Sequence, residues 1–143
     1  PPGSADALRR LETTLLEAIH RLRREPAARQ TYEVMLWKCE YVDELAPVRT
    51  ELMKAGEAFA GELRELYAQA AAEGLTERGL DPRLAALETL CLYAGMVKLW
   101  LADMGGELLR SQIEAMIRQH VASRRRREPA LTPPPASPRK KAK

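Results

Sequence analysis

The stretch Asp81-Pro82-Arg83-Leu84-Ala85-Ala86-Leu87-Glu88-Thr89-Leu90-Cys91-Leu92-Tyr93-Ala94-Gly95-Met96-Val97-Lys98-Leu99-Trp100-Leu101 decides how this 143-residue chain folds. It opens as a helix should, with an aspartate able to accept an orphan backbone N–H and then a proline, which has no N–H to lose in the first turn. Over residues 83–102 only Arg83, Glu88, Thr89 and Lys98 interrupt an apolar surface that runs nearly all the way round. Such a helix needs burial on more than one side. A small domain has too few helices to provide that alone. The expectation is that this helix and the one after it pair with the same helices of a second copy in a four-helix seam.

Outward from there, the rest of the chain also reads as helix, an all-α, five-helix domain over residues 4–123. From Ser4 to Arg24, Leu8, Leu11, Leu15, Ile19 and Leu22 recur at three- and four-residue intervals, with Ser4 as the expected N-cap and Asp6 in the positively polarised first turn. Pro26 breaks that helix and starts a second one, Ala27 to Glu40, with Ala28, Tyr32, Met35, Leu36 and Cys39 inward. A long third helix follows Asp43-Glu44 and Pro47 to Glu73, marked by Leu45, Val48, Leu52, Phe59, Leu63, Leu66 and Ala70, and Gly74-Leu75 caps it. Gly56 and Gly61 lie inside it, each costing about 1 kcal/mol relative to alanine, which either close helix packing or room for a ligand would explain. After Gly105-Gly106, the last helix, Glu107 to Ser123, carries Leu109, Ile113, Met116, Ile117 and His120.

The net charge of +3 is unevenly spread. Residues 124–143 carry eight Lys/Arg and one acid, or +7, leaving 15 bases and 19 acids, or −4, for residues 1–123. The folded body is therefore mildly acidic, and the Pro-rich basic end, with nothing to bury, reads as a disordered tail that aids solubility or touches phosphate backbones non-specifically. No apolar run suggests a membrane span and Pro1-Pro2-Gly3-Ser4 is no signal peptide, so the expected address is cytoplasmic. Cys39 and Cys91, far apart in apolar surroundings, read as buried thiols.

Catalysis needs converging groups, and no nucleophile with its base, paired carboxylates or metal-ligand spacing is evident, so a binding protein without cofactor or metal is expected. His20 and His120 stand alone near helix ends. Glu40, Asp43 and Glu44 form an acidic cluster that caps a helix or receives a cation. Tyr32, Trp37, Cys39, Phe59, Tyr93 and Trp100 suit the wall of a pocket for greasy aromatic ligands, or an ordinary core.

The runs Tyr32-Glu33-Val34-Met35-Leu36-Trp37-Lys38-Cys39-Glu40-Tyr41, Ala70-Ala71-Ala72-Glu73-Gly74-Leu75, and Leu80-Asp81-Pro82 through Ala94-Gly95-Met96-Val97-Lys98-Leu99-Trp100-Leu101 resemble the C-terminal domain of TetR-family transcriptional repressors, most nearly the AcrR-like subgroup that controls multidrug efflux pumps. The likeness covers about residues 5–123. It implies a homodimer joined through the last two helices, at Leu92, Met96, Leu99, Trp100, Leu109, Ile113, Met116, Ile117 and His120. It also implies a pocket for a hydrophobic small-molecule effector, at Leu15, Ala18, Tyr32, Met35, Leu36, Cys39, Gly56, Phe59, Tyr93, Ala94 and Val97. Related pockets often carry polar side chains where this chain has Leu36 and Ala94, and Phe59 is placed to fill space that relatives leave open, which implies a greasier pocket. In such repressors a helix-turn-helix unit precedes the first helix. This sequence begins directly at Pro1, so the expectation is a sensing half that meets operator DNA only through a missing N-terminal domain. The competing reading is a helical interaction or scaffold domain whose apolar fourth helix docks another protein and which has no small-molecule ligand.

Overall fold

A computed structural model describes residues 6–37, 44 and 46–127. Among them are five helices and no strand: α1 (Ala7–Arg24), α2 (Pro26–Trp37), α3 (Ala46–Ala72), α4 (Pro82–Leu101) and α5 (Gly106–Arg124). Local chemistry sets the ends. Asp81 caps α4, its carboxylate accepting the Arg83 N–H at 2.9 Å ahead of the first-turn proline. Gly74, at φ +70°, turns the chain out of α3 and lets the Leu75 N–H reach back to the Ala70 carbonyl at 3.0 Å. At α1 the cap is Asp6, which accepts from the Arg9 N–H at 2.8 Å, and not Ser4, which lies outside the described residues.

The five apolar positions of α1 are all buried, between α3 and α5. Against them pack Leu63, Leu66, Tyr67 and Ala70 from the C-terminal half of α3, and Ile113, Ile117 and Val121 from α5. Ala85, Ala86, Thr89, Tyr93, Met96 and Val97 of α4 complete the core. The N-terminal half of α3 contributes no fully buried side chain, and Val48, expected inward, is exposed. Thus α1 and α3 are held together at one end and stand free at the other.

Tyr67, Thr89 and His120 satisfy one another inside this core, while Arg124 Nε is buried with no hydrogen-bond partner among the described residues. The Thr89 hydroxyl donates to the Ala85 carbonyl at 2.8 Å, as back-bonding threonines in helices do. Its single proton thus committed, its oxygen accepts from the Tyr67 hydroxyl and from Nε2–H of His120, both at 2.7 Å. Burial, with the Arg124 guanidinium adding to it, pulls the His120 pKa below the ordinary imidazole value. Neither histidine stands alone, since His20 meets Glu114 across the α1–α5 contact at 3.1 Å. Arg23 joins that carboxylate at 2.7 Å, and the two partners hold Glu114 below the usual carboxylate range.

At the far end, the chain after α5 returns along the α3–α4 turn. Thr76 and Arg125 form an isolated antiparallel bridge, the Arg126 N–H donates to the Leu75 carbonyl at 2.6 Å, and the Arg125 guanidinium holds both Asp6 oxygens, at 2.9 and 3.1 Å. Residues 128–143, the acidic pair Glu40 and Asp43, and Leu45 lie outside the described residues.

Two further expectations are corrected. Cys91 is an exposed thiol, because it sits on the side of α4 turned away from the core. And α4 is itself long and apolar enough to cross a membrane, with mean hydropathy 1.4 over its best 18 residues. A third of that window is buried, Leu90, Leu92, Trp100 and Leu101 are partly covered, and Leu84, Leu87 and Leu99 are exposed.

Leu11→Ala should cost about 2–5 kcal/mol of unfolding free energy, the range for emptying a core leucine site. Tyr67→Phe should cost about 1 kcal/mol, both read from urea midpoints. A histidine whose pKa is depressed by folding stabilises fully above its unfolded value of about 6.5 and progressively less as pH falls through the folded value. Lowering the pH from about 7.5 to 5.5 should therefore lower the melting temperature, and His120→Gln should shrink that drop.

Candidate ligand pocket and the bare face of α4

Where α1 and α3 diverge they frame a cavity of about 700 Å³, within the range of small-molecule sites. One face of α1 supplies Thr14, Glu17, Ala18, Arg21 and Leu22, which follow at three- and four-residue spacing, beside the buried stripe. From α3 come Leu52, Ala55, Gly56, Phe59 and Glu62, again one helical face. Leu90, Tyr93, Ala94 and Val97 of α4 form the floor, and Ala28, Thr31 and Tyr32 of α2 close the end.

The floor is aromatic and apolar. The Phe59 and Tyr93 rings lie 5.3 Å apart at 53°, a tilted pair of the kind the ring quadrupoles favour. Burial pushes the Tyr93 phenol up from its ordinary value and the Tyr32 hydroxyl beside it adds to the effect, so Tyr93 remains a neutral hydrogen-bonding group. The charged groups, Glu17, Arg21 and Glu62, are exposed at the rim.

Of the residues expected at a pocket, the structure brings together Ala18, Tyr32, Gly56, Phe59, Tyr93, Ala94 and Val97. Phe59 forms a wall of the cavity and does not close it. Leu15 is not on the lining: next to Thr14 on a helix that turns about 100° per residue, it points into the core instead. The side chains of Met35 and Leu36, and all of Cys39, lie outside the described part. Thr14, Glu17, Arg21 and Glu62 were not anticipated, because an exposed polar residue beside a buried stripe has the same pattern whether it borders solvent or a cavity mouth. Gly56 and Gly61 also become explicable. A Cβ at either would meet nothing within 4 Å, so close packing is not their reason, and at Gly56 the open space is the cavity.

The bare side of α4 carries Leu84, Leu87 and Leu99 at 55%, 57% and 42% exposure, with Cys91 between them. On α5, Leu108 is 75% exposed and Met116 36%. Of the residues expected at a seam, Leu99 and Met116 are exposed, and Leu92, Trp100, Leu109 and His120 are half-buried. Met96, Ile113 and Ile117 are a correction. At 4%, 1% and 1% exposure they are spent inside the core of their own chain and have no surface to offer a partner.

A family model described as the C-terminal region of MAATS-type transcriptional repressors matches residues 6–123, and the chain belongs to this family of TetR-type repressor C-terminal domains. Such domains generally dimerise and bind ligands. No curated protein and no solved structure matches the chain.

Because both glycine sites are open and helical, Gly56→Ala and Gly61→Ala should each raise stability by up to about 1 kcal/mol. Gly56→Leu should fill the cavity and weaken any ligand bound there, whereas Gly61→Leu, off the lining, should not; calorimetric titration of both variants checks this.

Proposed function

We propose that this chain is the effector-sensing and homodimerising part of a bacterial repressor of the AcrR-like kind, controlling a multidrug efflux pump from the cytoplasm. A hydrophobic small molecule taken up between α1 and α3 lowers the affinity of the repressor for its operator. The observation that carries this reading is the cavity of about 700 Å³, floored by Phe59, Tyr93 and Val97 and open between two helices of a repressor-family domain.

The same helix supports both roles. One face of α4 presents Leu90, Tyr93, Ala94 and Val97 to the cavity, while Leu84, Leu87 and Leu99 lie on its bare side. An occupant that prefers one position of α4 biases the arrangement of two subunits joined across that bare side, and such a bias equals the difference in its affinity for the two arrangements. The leucines also supply the reason for pairing. Each fully buried leucine is worth about 1.5–3 kcal/mol, and this face leaves several in water.

Two tests follow. A ligand that binds only the folded protein raises its melting temperature by mass action, so a panel of hydrophobic antibiotics, dyes and plant phenolics should include compounds that do so. In Ala94→Trp, with the cavity blocked, those shifts should vanish while light scattering still reports a dimer. Shifts that persist in Ala94→Trp would place the ligand elsewhere. For the seam, Leu87→Glu combined with Leu108→Glu should yield a folded monomer, because both side chains are exposed in the single chain and become unpaired buried charges only in the dimer. A dimer from that variant would move the interface off this face.

A further inference from the structure

We propose that the end of the domain where the chain leaves α5 is a sequence-independent contact for duplex DNA. It is made by exposed arginines around the Arg125 strap together with the basic run that follows. The acids at this end are already engaged. Asp6 caps α1 and holds the Arg125 guanidinium, and Glu88 pairs with Arg124 at 2.7 Å. Glu73 and Glu77 accept the backbone N–H groups of Ala7 and Arg127, both at 3.0 Å, and Asp81 caps α4. The guanidiniums of Arg78, Arg83, Arg126 and Arg127 are exposed and have no hydrogen-bond or ion-pair partner among the described residues.

The strap turns loose charge into placed charge. Its backbone is fixed by the Thr76–Arg125 bridge and by the Arg126 N–H on the Leu75 carbonyl, while the side chains of Arg126 and Arg127 stay in solvent. Less freedom is lost when such groups meet a partner. Further on, the sequence adds Arg139, Lys140, Lys141 and Lys143 against one acid, Glu128. Residues 1–123 as a whole carry −4, so a polyanion is repelled by the rest of the body and drawn to this end.

The kind of polyanion follows from what the basic run lacks. Residues 124–143 contain no aromatic residue and one large apolar one, Leu131. A single strand is gripped by stacking its bases on aromatic rings, and a membrane surface by burying an apolar face beside the basic one, so neither has its usual anchor here. Duplex phosphates need only cations, each of which releases condensed counterions, and arginine's planar fork matches two phosphate oxygens. Such contacts position a protein on DNA without reading its bases. The chain belongs to a family of transcriptional repressors, for which a duplex is the polyanion at hand.

A fluorescein-labelled duplex of mixed sequence, titrated with the chain and followed by anisotropy, tests this. Binding should weaken with salt, log K falling against log salt with a slope of about −7 for the eight unpaired side chains, at about 0.9 per phosphate contact. The variant Arg78→Gln, Arg83→Gln, Arg126→Gln, Arg127→Gln, and separately Arg139→Gln, Lys140→Gln, Lys141→Gln, Lys143→Gln, should each roughly halve the slope and weaken binding by about tenfold or more at about 50 mM salt. Their melting temperatures should match that of the unsubstituted chain. No binding at that salt, or an unchanged slope in either variant, would overturn the proposal. So would tighter binding to phosphatidylserine vesicles, or to the single strand, than to the duplex.

Discussion

The structure depends on how much of α3 the leucine stripe of α1 can hold. Leu8, Leu11, Leu15, Ile19 and Leu22 are buried along the whole of α1, yet they find buried partners on α3 only from Leu63 onward. α3 is 27 residues long against 18 for α1, and ahead of Leu63 it carries Gly56 and Gly61 and leaves Val48 and Met53 exposed in place of a matching buried stripe. With nothing to draw them together, the two helices part there. The cavity is what that parting leaves, with α4 as its floor.

A second consequence is the division of labour on α4. Its composition gives no preferred face, so the neighbours choose one. α3, α5 and α2 take Ala85, Ala86, Thr89, Tyr93, Met96 and Val97, while Leu84, Leu87 and Leu99 stay in water. The cavity and the bare face are therefore two sides of one helix, which is the simplest physical basis for an effector acting on a subunit interface.

How far the sequence could be read follows from the same facts. Where a helix has one apolar stripe, as in α1, every buried residue except Ala7 was legible. Where capping chemistry is specific, as at Asp81-Pro82 and Gly74-Leu75, so were the ends. On α4, where period carries no information, Met96 was assigned to a partner and turned out to be core, while Leu84 and Leu87, read only as part of the all-round apolar surface, are the exposed ones. Ile113 and Ile117 failed for a related reason: an amphipathic α5 has one stripe, and nothing in its spacing says whether its own chain or a second copy covers it. The pocket was half legible. The apolar and aromatic members Ala18, Phe59, Tyr93 and Val97 came from resemblance and pattern, but the rim residues Glu17 and Glu62 are indistinguishable from solvated surface until the helices are seen to separate.

The central claim, that the α1–α3 gap is where an effector sits, is tested most directly by a crystal structure of this chain grown with a saturating hydrophobic aromatic ligand such as 4-biphenylmethanol. The account predicts density for the ligand over the Phe59–Tyr93 pair, between Ala18 and Gly56. An unoccupied gap with the ligand ordered at another site, or a gap filled by the protein's own side chains, would contradict it.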